Sequence, residues 1–203
     1  AFQTAGLWMT VTDEPHTGTT AFFHPDPETT NNGDLLFTTT LPANANALSF
    51  WQKLATEGGF DGGVFDISTN GGVTYTDLGS RMLKGEYNSA ISGNVNGVPV
   101  STIDGRRCFG GDVPYFQTIV DLSDYSGQMV TFRWRFGSDA FVGATGWWID
   151  DVEIMELYNI TNETCITTTN FPKAQCANIG SLGTIIRDAS FQAPLAVDII
   201  DLK

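Results

Sequence analysis

Residues 129–136, MVTFRWRF, alternate in polarity with a period of two. Phe132, Trp134 and Phe136 fall on one side of an extended chain, and Arg133 and Arg135 on the other. A helix would scatter the three aromatics around its circumference, so this segment buries them only as a half-buried strand. No stretch longer than about ten residues shows 3.6-residue periodicity. Short runs of strand-forming residues recur instead, separated by Gly, Pro, Asn and Asp. They are 35–40 (LLFTTT), 47–54 (ALSFWQKL), 64–68 (VFDIS), 116–121 (FQTIVD) and 147–156 (WWIDDVEIME). In the second run Leu48 and Phe50 share one face, and Ser49 and Trp51 the other.

Turn chemistry sets the connections. Asn70-Gly71-Gly72 tolerates positive φ and predicts a hairpin over 64–78, with 73–78 as its second strand. Residues 79–114 are the least regular, rich in Gly, Asn and Ser. About eight antiparallel strands make a β-sandwich of jelly-roll type, an all-β module over residues 1–156. From Leu157 the chain turns Thr- and Asn-rich. Residues 157–203 read as an irregular C-terminal extension, a Cys-containing linker closing on APLAVDIIDLK, the first strand of a following domain.

Charge excludes some partners. Acidic residues number 23 against 10 basic, a net charge of −13. The longest basic cluster is Arg106-Arg107, too short to track phosphates, so nucleic acid is no partner. No apolar run approaches the roughly 18–20 residues of a membrane span. A chain rich in Asp, Thr and Gly and poor in Lys reads as a secreted or cell-surface β protein with bound cations.

Three cysteines are present: Cys108, Cys165 and Cys176. None lies in a CxxC and only two histidines, His16 and His24, are available, which disfavours zinc. Cys165 and Cys176 lie close together and read as a disulfide. Cys108 is then either a buried thiol or half of a pair the spacing does not assign.

Three kinds of site can be weighed. Calcium takes six to eight oxygen ligands, several of them carboxylates or carbonyls. Asp150-Asp151 offers adjacent carboxylates. Period two places Asp150 beside Trp148, Val152 and Ile154 on the core side, where a carboxylate is costly unless a cation compensates it. A one-residue bulge would exchange the two aspartates. Asp26, in the loop His24-Pro25-Asp26-Pro27-Glu28, is a further metal candidate. Asp34 and Asp61 open strands and are weaker ones; each is equally an ordinary turn former. Among the aromatics, Trp51 and Trp147 lie opposite the core-facing positions of their strands and are candidates to stack on a sugar ring. Catalytic arrangements are thin: there is no HExxH, no GxSxG and no P-loop. WIDDVE lacks the carboxylate pair that glycoside hydrolysis requires.

The segments ALSFWQKLATEGGFDGGVFDISTNGGVTYTDLG, TIVDLSDYSGQMVTFRWRFGSD and GATGWWIDDVEI together resemble a known pattern. It is that of the jelly-roll modules appended to secreted bacterial metallopeptidases. It is similar also to the cleaved-adhesin modules of gingipain-type proteases and, more distantly, to MAM domains. The match runs over roughly residues 20–156. PLAVDIIDL resembles the strand preceding the sorting region of Bacteroidota proteins exported by the type IX pathway. The resemblance implies a non-catalytic, Ca²⁺-stabilised module of a larger protein, with Ca²⁺ held between the N-terminal region and the last strand's aspartate pair. Its partners would be an extracellular protein or glycan and the neighbouring domains of its parent. A carbohydrate-binding module, and a structural or cargo domain of an exported surface protein, are the alternatives.

Overall fold

The computed structural model describes residues 1–92, 101–157, 164–168 and 171–177; of the last two stretches only the backbone is described. The strands, in chain order, are β1 (Phe2–Ala5), β2 (Met9–Val11), β3 (Ala21–Asp26), β4 (Asn31–Thr40), β5 (Ala47–Ala55), β6 (Gly62–Ser68) and β7 (Thr76–Asp77). They continue as β8 (Met82–Lys84), β9 (Ser89–Ala90), β10 (Arg107–Cys108), β11 (Asp112–Asp121), β12 (Met129–Ser138), β13 (Ala144–Met155), β14 (Thr164–Thr168) and β15 (Phe171–Ala177).

The chain divides into two units, Ala1–Ile154 and Met155–Lys203. The first is an antiparallel β-sandwich of jelly-roll type. One sheet has the order β1-β4-β12-β6-β7 and the other β2-β3-β13-β5-β11-β8. The alternation of MVTFRWRF is what joins them. Phe132, Trp134 and Phe136 are fully buried, while Arg133 and Arg135 stand on the outer side of β12. Trp134 packs edge-on against Phe50 of the facing sheet at 5.4 Å and beside Phe65 at 4.6 Å. Leu48, Phe50 and Leu54 of β5 point inward with them, as period two requires.

Strand-ending signals act where the sequence put them. Gly71 and Gly72 take φ +73° and +88° in the turn after β6. The returning strand is shorter than the predicted 73–78: only Thr76 and Asp77 pair, with Ile67 and Asp66. Val73 points into solvent.

Two expectations for β13 are corrected. Trp147, placed by period two opposite the core-facing positions and a candidate to stack on a sugar ring, is fully buried in the core and donates its indole N–H to Gln52 Oε1 at 2.9 Å. Trp148, expected in the core, lies on the outer side of its sheet, covered by Phe23 at 4.5 Å and by Lys53 Nζ at 4.8 Å. Farther along β13, Val152 and Ile154 again pack against the core. The parity changes between Ile149 and Val152, at Asp151, whose φ of +46° marks an irregularity in the strand. Asp150 is therefore not a core-facing carboxylate.

In the second unit β14 and β15 form an antiparallel hairpin in which Cys165 stands opposite Cys176. Their side chains, and the closing PLAVDIIDL, lie outside the described residues.

Candidate metal centre

Four acidic residues meet at one end of the sandwich, each at a strand boundary. Asp26 closes β3, Glu57 follows β5, Asp61 precedes β6 and Asp139 follows β12. Because consecutive strands run antiparallel, these boundaries lie at the same end, and the four residues come from both sheets. Oxygens of Glu57, Asp61 and Asp139 lie within 4.8 Å of one another. Asp26 lies beside them, its carboxyl near enough to that of Asp61 for each to shift the other.

Burial here is deep: Asp26, Asp61 and Asp139 are 3%, 1% and 3% exposed. Carboxylates so buried are normally paired with a cation or strongly hydrogen-bonded. Among the described residues no Lys or Arg forms an ion pair with any of the four. Backbone amides hold one oxygen of each aspartate. Glu57 N–H donates to Asp26 Oδ2 at 3.3 Å, Asp139 N–H to Asp61 Oδ1 at 2.6 Å and Phe141 N–H to Asp139 Oδ1 at 2.8 Å. Asp26 Oδ1, Asp61 Oδ2 and Glu57 Oε2 are buried with no partner. The amides thus aim the carboxylates, and the free oxygens remain for something else.

Electrostatics point the same way. Burial pushes the Asp61 carboxyl well above the ordinary carboxylate range; the neighbouring Asp26 and Asp139 add to this, and the Asp139 amide opposes it. Asp26 is raised too, first by burial. Burial and the nearby Asp139 also raise Glu57. Carboxyls raised in this way favour the protonated form, and a dication would compete with those protons. The donors are all oxygen, with no imidazole or thiolate, which suits a hard ion such as Ca²⁺ rather than zinc.

The surrounding loops are built to close over the cluster. Asp61 N–H bonds Glu57 O at 3.0 Å, forming a tight turn. Thr56 Oγ1 donates to Asp61 O at 3.2 Å and accepts from Gly111 N–H at 2.9 Å. Gly143 passes so near the segment after Asp26 that a Cβ would stand 2.6 Å from Asp26 O.

Of the metal candidates read from the sequence, Asp26 and Asp61 lie in this cluster. The other three lie elsewhere. Asp34 is on the outer side of the five-stranded sheet, opposite Arg135 in register; burial raises its carboxyl, and Arg133 and Arg135 draw it back down. Asp150 and Asp151 hold the loop between β2 and β3. Asp150 Oδ2 accepts from His16 N–H at 2.8 Å, and Asp151 Oδ2 meets His16 Nδ1 at 2.7 Å. Glu57 and Asp139 were not singled out from the sequence. The available signal was an acid at several strand ends, which only the topology brings together.

The sugar-stacking candidates also separate. Trp147 is core, as described. Trp51 is half-buried on the outer side of β5, its face covered by His16 at 3.9 Å with the rings 13° from parallel. Trp8, Trp134, Trp147 and Trp148 are all buried.

No family model and no curated protein matches this sequence. Solved structures resemble it in fold. A TmCBM61 structure in complex with β-1,4-galactotriose is 15% identical, with 76% of this chain and 88% of that one aligned, at a TM-score of 0.47. The K1 cleaved adhesin domain of Lys-gingipain from Porphyromonas gingivalis W83 is 17% identical over 76% and 90% of the two chains, at 0.46. The mannan-recognising module TmCBM27 is 12% identical over 75% and 86%, at 0.37.

Proposed function

We propose that the chain is a non-catalytic adhesion or substrate-presenting module of a larger secreted or cell-surface bacterial protein, stabilised by Ca²⁺. The observation that carries the Ca²⁺ part is the set of buried carboxylate oxygens without partners at Asp26, Glu57 and Asp61. A dication bound there compensates charge that no basic residue meets, and draws together strand ends from both sheets. Hard oxygen donors select Ca²⁺ over softer ions. The resemblance to appended modules of secreted metallopeptidases and to cleaved adhesins supports the placement in a larger exported protein. Among the described residues no helix is long and apolar enough to cross a membrane.

Both histidines and the described cysteine are occupied structurally. His24 is buried against Trp8 and Phe136, and burial lowers its pKa to about 4. Cys108 is buried and its thiol is pushed up to about 11, which makes it a poor nucleophile. His16 is spent on Trp51 and Asp151. Thermal unfolding of the chain with Ca²⁺ and with EDTA tests the reading: a melting temperature indifferent to both would overturn its metal part.

A second reading, a carbohydrate-binding module, is favoured by one specific observation. Trp51, His16 and Tyr115 form an aromatic group on the outer face of the six-stranded sheet, with Asp150 and Asp151 beside it. Aromatic faces flanked by carboxylates suit pyranose rings, which present a C–H face and hydroxyl donors.

A further inference from the structure

The loop of residues 12–20, between β2 and β3, lies across this outer face and is fixed there by an unusual set of groups. His16 N–H and Thr17 N–H donate to Asp150 Oδ2 at 2.8 and 3.3 Å. Thr17 Oγ1 donates to Asp151 Oδ1 at 2.5 Å, and His16 Nδ1 meets Asp151 Oδ2 at 2.7 Å. The His16 ring lies flat on Trp51, with Tyr115 at 5.1 Å. Tyr115 OH donates to Glu14 O at 2.8 Å, and Lys53 Nζ to Glu14 Oε2 at 2.6 Å.

Two features set this contact apart from ordinary loop packing. Among the described residues only two non-glycine residues have positive φ: Glu14 at +55° and Asp151 at +46°. One is in the loop and the other is its anchor, so both sides of the contact hold a backbone conformation that side chains disfavour. The chemistry offered by the loop is also specific: a planar ring for the indole face, and several N–H and O–H donors for two adjacent carboxylates. A sugar ring offers the same combination, an apolar C–H face and neighbouring hydroxyls.

We propose that this face is a saccharide platform and that the loop is an internal ligand covering it. His16 takes the place of a pyranose ring on Trp51. Asp150 and Asp151 are the acceptors that sugar hydroxyls reach once the loop swings away. The proposal rests on the carbohydrate-binding reading and adds its site and its regulation. A covered platform binds with an affinity lowered by the fraction of time the loop is open, so loosening the loop strengthens binding.

The test uses the whole chain and two readouts. Trp51 is the one tryptophan that is not buried, so acrylamide quenching of tryptophan emission reports its exposure. Native gels cast with β-1,4-galactan, β-mannan or a soluble β-glucan report saccharide binding. His16→Ala is expected to raise the quenchable emission and to be retarded about tenfold more strongly than the parent by at least one polysaccharide; Trp51→Ala removes both effects. Thr17→Ala, at an exposed residue, gives the same direction at smaller size and guards against misfolding of the first variant. Unchanged quenching in both loop variants overturns the covering role. Increased quenching with no retardation in any gel overturns the saccharide assignment and the carbohydrate reading with it. Retardation that survives Trp51→Ala leaves that reading standing and overturns this site.

Discussion

The indole of Trp147 lies against Gly63 of the facing sheet, so closely that a Cβ on Gly63 would stand 2.2 Å from its Cζ3. Gly63 has no room to yield, because its N–H and C=O both pair with Phe109, at 2.9 and 2.8 Å. Gly63→Ala forces the ring or β6 to move, and overpacking of this kind costs about 1–3 kcal/mol. Urea unfolding should show that loss; a variant within about 0.5 kcal/mol of the parent would contradict the packing.

Saturating Ca²⁺ should raise the melting temperature. At about 100 times Kd a ligand of the native state adds about 2.7 kcal/mol. For a chain of this size each kcal/mol moves the midpoint by about 2–4 °C. Asp61→Asn should abolish the response, whereas Asp34→Asn should leave it intact. Calorimetry with and without EDTA on the three proteins checks this.

In EDTA the pH dependence should run opposite to that of ordinary acid denaturation. Asp26 and Asp61 are raised to about 6 and about 8, from an unfolded value near the usual carboxylate range. Between those limits the native state binds more protons than the unfolded one, so stability falls as pH rises. The chelated chain should melt higher at pH 5.5 than at pH 8, and Ca²⁺ should remove or reverse that difference. Equal melting at both pH values in EDTA would refute the raised carboxyls of Asp26 and Asp61.

On the outer side of β6, Asp66 is buried between two guanidinium groups. Arg106 bonds one oxygen at 2.5 Å and Arg133 the other at 2.7 Å. Arg106 also pairs with Asp77, and Arg133 lies 3.7 Å over the Tyr75 ring. Asp66→Ala strands Arg133 and leaves Arg106 with Asp77 alone; it should cost about 3–5 kcal/mol, seen as a lower urea midpoint. A loss below about 1 kcal/mol would show that the group is solvated after all.

Cys165 and Cys176 stand opposite each other across an antiparallel hairpin, a placement that a disulfide can span. The oxidised chain, denatured without reductant, should titrate as one thiol, that of Cys108; three would exclude the bridge. In the native state Cys108 should react slowly, being buried.

The sandwich was legible because alternation in MVTFRWRF and ALSFWQKL survives any detail of the connections. The turn at Asn70-Gly71-Gly72 was legible because only residues tolerant of positive φ fit there. The facing of Trp147 and Trp148 was not, since the irregularity at Asp151 shifts parity within one strand and leaves no mark in the pattern. At the candidate metal centre, Asp26 and Asp61 could be picked out as separate acids. Glu57 and Asp139 sit one or two residues beyond strand ends, where periodicity carries no information, and only the strand order brings them together. The loop on Trp51 was illegible for the same reason: His16 and Asp151 lie 135 residues apart.

The acidic cluster closes two long stretches of chain. Its amide contacts join residues 31 apart at Asp26 and Glu57, and 78 apart at Asp61 and Asp139. Small exported domains often secure such closures with covalent cross-links, which oxidation makes and reduction breaks. A closure made by an ion answers to ion activity instead. With Ca²⁺ bound as proposed, it could be undone and restored without chemistry on the chain, and would tie the rigidity of this end of the sandwich to the calcium content of its surroundings.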